Sequence, residues 1–153
     1  MIPNHVIQAD FIAALKADAP IVAQLLVHGA THTADASIKE AQYWSNVPLY
    51  PGLRIKVGRQ IPVIERGQCD HTRLTFSVMV FTEDKSSREC SLISGLVVDL
   101  FHASGGKFFR GDNTAGEEWV SYFRCSGYPS PNRIGDKLWR AEVFFTGTVY
   151  PAG

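Results

Sequence analysis

Residues 73–101 read RLTFSVMVFTEDKSSRECSLISGLVVDLF, and two hydrophobic periods meet within them. Leu74, Phe76, Val78 and Val80 alternate with Arg73, Thr75, Ser77 and Met79. A period of two puts each set on its own face of a strand, so a strand is predicted over about 72–82. Thr82-Glu83-Asp84-Lys85-Ser86 supplies turn and capping chemistry. Cys90, Ile93, Val97, Leu100 and Phe101 then recur at helical spacing, with Leu92 and Leu96 broadening the stripe. This helix is expected to run to about His102 and to stop at Ser104-Gly105-Gly106.

Toward the N-terminus, Ile7, Phe11, Ala14 and Leu15 have helical spacing over 5–17, with Asn4 as a candidate cap. Asp18 caps a second short helix with Pro20 in its first turn and Ile21, Val22, Leu25 and Leu26 on its apolar face; Gly29 is its expected stop. Residues 30–52 carry less pattern, and Pro48 and Pro51 impose extended or turn geometry there. Leu53, Ile55 and Val57 alternate with Arg54 and Lys56 as in a half-buried strand. Pro62 makes 61–64 either a sheet edge or a separate short strand.

Toward the C-terminus, 104–117 (SGGKFFRGDNTAGE) and 127–136 (GYPSPNRIGD) read as loops. Residues 118–126 are predicted to form one strand. The last strand, 137–149, places Trp139, Ala141, Val143 and Phe145 on one face and Leu138, Arg140, Glu142 and Phe144 on the other. The expected fold is α+β, with a mainly antiparallel four- to five-stranded sheet and helices packed on one face. Residues 1–153 are read as a single domain, without internal repeat or linker.

Composition narrows the function. The chain has 153 residues, 15 Lys+Arg and 15 Asp+Glu, and a formal net charge of zero. A hydrophobic share of 45% argues against disorder. Zero net charge argues against a generic nucleic-acid or membrane-surface binder, and it weakens the self-repulsion that opposes association. No apolar stretch approaches the roughly 18 residues of a membrane span, and no secretory leader is expected. Cys69, Cys90 and Cys125 are widely spaced and read as reduced thiols, with Cys90 in the core.

Catalytic and metal patterns are thin. His28 and His32 stand four apart, but Gly29 interrupts their helix and only Asp35 offers a third ligand, so both read as polar loop histidines. Cys69-Asp70-His71 is read as a strand-entry turn. Neither a nucleophile elbow nor a phosphate-binding glycine loop occurs, and Arg110-Gly111-Asp112 is read as a solvated turn. No catalytic, metal or cofactor residue is therefore assigned. The aromatics carry more information. A strand face mixing Arg140 and Glu142 with Phe144 is either partly covered by 30–52 or buried against another subunit. Phe108, Phe109 and Tyr128 either share that role or fold back into the chain.

Three segments, FIAALKADAPIVAQLL (11–26), the opening 73–101 block and LWRAEVFFTGTV (138–149), resemble the tail-terminator or tail-completion proteins of long-tailed bacteriophages. The likeness covers about half of the chain and lies in layout rather than in a catalytic motif. Gly52-Leu53-Arg54-Ile55 is similar to the strand entry of that group, but follows an additional segment, 30–51, whose role stays open. The resemblance implies a non-enzymatic virion protein, assembled in the host bacterial cytoplasm as a hexameric ring. Such a ring ends the tail tube and joins it to the head connector or stopper. The implied partners are copies of itself, the tail tube protein, the connector, and DNA passing through the lumen without specific binding. Another head–tail joining protein is the alternative within this class, although a stopper would be mostly β-barrel. A small cytosolic α+β ligand-binding domain or enzyme is the alternative from another class.

Under this reading, 104–117 and 127–136 are the contacting loops. Lys107, Arg110 and Arg133 would pair with Asp112 or Glu117 of a neighbour. The candidate interface residues are Lys107, Phe108, Phe109, Arg110, Asp112, Tyr128, Arg133, Arg140 and Glu142. Deleting 107–113 is expected to spare folding and block assembly.

Overall fold

The computed structural model describes residues 1–43, 48–65, 68–104, 106–111 and 118–151, with 64, 65 and 68–70 described by backbone alone. The described residues form helices α1 (Asn4–Ala17), α2 (Ala19–Leu26), α3 (Ala34–Ser37) and α4 (Arg88–Phe101). The strands are β1 (Ile38–Glu40), β2 (Gly52–Glu65), β3 (Gln68–Glu83), β4 (Phe109–Gly111), β5 (Trp119–Ser121), β6 (Arg124–Gly127), β7 (Asn132–Gly135) and β8 (Leu138–Pro151). None of the described helices is long and apolar enough to cross a membrane.

Local chemistry sets the helix ends. The Asp18 carboxylate accepts from the Ile21 amide at 3.2 Å and Pro20 occupies the first turn, so α2 starts where a side-chain acceptor and a fixed φ coincide. Asn4, expected as the cap of α1, is instead its first residue; Pro3 takes the cap position. Thr33 Oγ1 accepts from the Ala36 amide at 3.2 Å and starts the one-turn α3.

Three long strands form the frame. β3 lies antiparallel between β2 and β8, with Phe76 opposite Phe145 and Ser77 opposite Phe144. β8 is the spine. β3 runs along one of its edges, while β7, β6 and β5 pair in succession with its other edge. β1 pairs parallel with Leu53–Ile55 alone, which leaves the rest of β2 as a sheet edge in the described residues. Pro62 is tolerated there, within β2 and opposite Thr72.

The expected sheet must be corrected. It has eight strands rather than four or five, contains the parallel β1–β2 pair, and curls. Phe11 of α1 stacks on Phe76 of β3 at 4.0 Å between centroids and meets Phe109 of β4 and Trp119 of β5 at 5.3 and 5.6 Å. The helix is thus wrapped by the sheet rather than laid on one flat face. The physical reason is the length of β8: its free edge holds short strands that have too few residues to show a period. β4 and β7 lie inside segments read as loops. The strand expected over 118–126 breaks after Ser121, where Phe123 turns into the core and its carbonyl accepts from the Ala103 amide at 2.7 Å.

One core results. Phe76 stacks on Phe145 at 5.0 Å and meets Phe101 edge-on at 5.1 Å. Asp10, fully buried on α1, accepts from Trp119 Nε1 at 2.7 Å and ties the helix to β5. Gly111 is required beside that bond, because a Cβ there would collide with the Trp119 indole and the Asp10 carboxylate.

Candidate functional site

The inner, core-facing side of β2, β3 and β8 is filled by Leu53, Ile55, Leu74, Phe76, Val78, Val80, Val143 and Phe145. Alternation sends Arg54, Lys56, Arg73, Met79, Phe81, Arg140, Glu142 and Phe144 to the other face. Segment 41–50, to the extent it is described, sits at the margin of this second face. Ala41, Pro48, Leu49 and Tyr50 join Arg54, Met79 and Arg140 around a groove of about 570 Å³. Partial cover by 30–52, one of the two expectations for this face, is what the described residues show.

Two guanidiniums organise the groove. Arg54 Nη1 donates to the carbonyls of Ser37 at 3.2 Å and Leu53 at 2.9 Å, and the Tyr43 ring lies 5.6 Å from the guanidinium carbon. Burial pulls the Arg54 pKa below its ordinary value, because the charged form loses water, and the neighbouring Tyr43 and Tyr50 offset this only in part. Arg140 Nη2 donates to Glu142 Oε1 at 3.2 Å, and Ser77 Oγ donates to Glu142 Oε2 at 2.8 Å. That chain spans β3 and β8 and leaves the groove wall polar at one end.

The interface candidates are scattered. Lys107 Nζ donates to the Asp99 carbonyl at 2.6 Å, closing the end of α4. Arg110 lies 3.4 Å from Glu118 across the β4–β5 pair, and Asp112 lies outside the described residues, as does Glu117. Tyr128 Oη donates to the Ser91 carbonyl at 3.3 Å, and Arg133 holds the tight β7–β8 turn through Gly135 and Asp136. Among the described candidates, Arg140 lines the groove and Glu142 pairs with it on the same face.

The aromatic pair in 104–117 divides. Phe108 is 50% exposed, whereas Phe109 packs among Phe11, Phe101, Trp119 and Phe123. Deleting 107–113 therefore removes a core side chain and β4 itself. The expected sparing of folding is corrected accordingly, and point changes at exposed positions replace that deletion.

Arg54, Tyr43, Tyr50 and Phe81 were missed by sequence reasoning. A signal for Arg54 existed: it alternates with Leu53 and Ile55, so it must face away from the core. What it meets there depends on chain returning from 41–50. His28 Nε2 pairs with Glu89 Oε2 at 2.7 Å and His32 Nε2 with the Tyr50 carbonyl at 2.9 Å; among the described residues no three metal-ligating side chains converge. Compared with models of protein families and with curated proteins, the chain matches none.

Proposed function

We propose that this protein is a non-catalytic, ring-forming virion component at the head-proximal end of a phage tail tube. There it ends tube polymerisation and joins the tail to the head connector. The observation that carries the reading is the second face of the long-strand sheet. Strands of 14 and 16 residues present a broad surface where Phe144, Lys56 and Thr75 stand exposed beside the Arg140–Glu142 pair. Such a face, apolar at points and charged between them, suits contact with copies of itself and with rings above and below. The resemblance of residues 11–26, 73–101 and 138–149 to tail-terminator proteins supplies the specific role.

Tail-tube assembly tests it. Adding the purified chain to polymerising tail tube protein is expected to cap one end and hold tube length fixed. Tubes that lengthen unchecked at saturating chain concentration would overturn the proposal.

One observation favours a second reading, a small ligand-binding domain. The groove over Arg54 and Arg140 lies within the roughly 300–1,000 Å³ range of small-molecule sites and offers guanidiniums to a carboxylate. A thermal-shift screen with aromatic carboxylates separates the two. Saturable stabilisation lost in Arg54→Ala supports the ligand reading.

A further inference from the structure

The zero net charge of the chain conceals a segregation. On the second face of the sheet, Lys39, Arg54, Lys56, Arg73, Arg110, Arg124 and Arg140 stand among the described residues against Glu142, Glu118 beside Arg110 and, at the end of β3, Glu83. Arg54 and Arg140 line the groove already described, Lys39 Nζ lies 4.9 Å from the Tyr43 ring, and Arg110 pairs with Glu118. The remaining cations lead to the opposite end of the sheet.

There a second groove, of about 250 Å³, is lined by Arg73, Tyr122, Arg124, Thr146, Thr148 and Tyr150. Strand register builds it: Arg73 lies opposite Thr148, and Arg124 opposite Thr146, so both cations rise from the same face of β8. Both arginines are exposed, and neither makes a side-chain hydrogen bond or ion pair among the described residues. Among the described residues, no carboxylate lines the groove. Each tyrosine is backed by another ring, Tyr122 by exposed Phe108 at 5.9 Å and Tyr150 by His71 at 4.7 Å.

We infer that this groove binds single-stranded nucleic acid, with Arg73 and Arg124 on the phosphates and Tyr122 and Tyr150 against an unstacked base. Cations tracking a backbone beside exposed rings are the requirements of sequence-tolerant single-strand binding. Two unpartnered guanidiniums with hydroxyl neighbours suit phosphate oxygens. The rings decide between nucleic-acid forms, because bases paired in a duplex hide the faces that a tyrosine stacks on. An acidic protein partner would use the cations and leave both tyrosines idle. The inference goes beyond the ring reading and does not rest on it, since every residue named belongs to one chain.

Fluorescence anisotropy of the full chain with labelled short oligo(dT), oligo(U), a duplex of equal length and dextran sulfate tests it. Expected is tighter binding to oligo(dT) or oligo(U) than to duplex or sulfate, the two oligonucleotides telling DNA from RNA. Tyr122→Ala should weaken binding about tenfold and Tyr122→Phe should retain it, because the ring and not the hydroxyl stacks. Arg73→Ala combined with Arg124→Ala should lower the salt slope by about 0.7 per cation removed. All four positions are exposed or half-buried, and unchanged thermal unfolding confirms that the variants fold. Absence of binding at low salt, equal binding to duplex or sulfate, or equal loss in Tyr122→Phe and Tyr122→Ala would overturn the inference. Tail-tube capping is measured separately, so either proposal fails without the other.

Discussion

Phe144 and Phe145 are neighbours on β8, yet one is 38% exposed and the other fully buried. The two faces of the sheet differ in the same way. The inner face is apolar, is wrapped around α1, and leaves its rings within stacking or edge-on distance of one another. The outer face keeps cations, hydroxyls and exposed rings at its surface. The difference teaches that one strand pattern serves two purposes: the inner set specifies the fold, and the outer set is free to meet something else.

The largest expected effect tests the inner face. Phe145→Ala removes a ring stacked on Phe76 and should cost about 3–5 kcal/mol in urea denaturation, whereas Phe144→Ala should stay within about 0.5 kcal/mol. Similar losses at both positions would break the comparison. Next comes the tie between α1 and β5. Asp10→Ala leaves the buried Trp119 indole N–H without that acceptor and should cost about 1–3 kcal/mol by the same measurement.

Arg140→Ala probes the outer face. Its pair with Glu142 is partly exposed, so stability should fall by less than about 1 kcal/mol, while self-association measured by light scattering should weaken. The smallest effect concerns Cys90. Burial raises its thiol pKa above the ordinary 9.0. Above pH 9 the unfolded chain gains the thiolate before the folded chain does, so stability is full below that value and declines as pH rises through the folded pKa. Cys90→Ala should flatten that alkaline decline, read by thermal unfolding across the pH series. Native alkylation should spare Cys90 until the chain unfolds.

Much of this frame was legible in the sequence. Asp18 and Pro20 announce α2, and alternation from Leu74 to Val80 announces β3, because a cap and a period are local signals. The faces of β8 were legible for the same reason. The curl was not. β4, β6 and β7 are three or four residues long; β6 and β7 owe their place to the edge of β8, a partner distant from β4, which reaches that edge only through β5. The core role of Phe109 was hidden likewise, since its neighbours Phe11 and Trp119 come from α1 and β5. Net charge misled by averaging: 15 against 15 says nothing of where the signs fall. Arg73, Arg124 and Tyr150 share a groove only once β3, β6 and β8 are in register.

The central claim is that the outer face is an assembly surface of a closed ring. Size-exclusion chromatography with light scattering across a concentration series, followed by negative-stain microscopy, tests it most directly. The account predicts a discrete ring, or stacked rings, growing at the expense of monomer as concentration rises. A chain that stays monomeric at every concentration, and also fails to bind a purified tail tube, would contradict it.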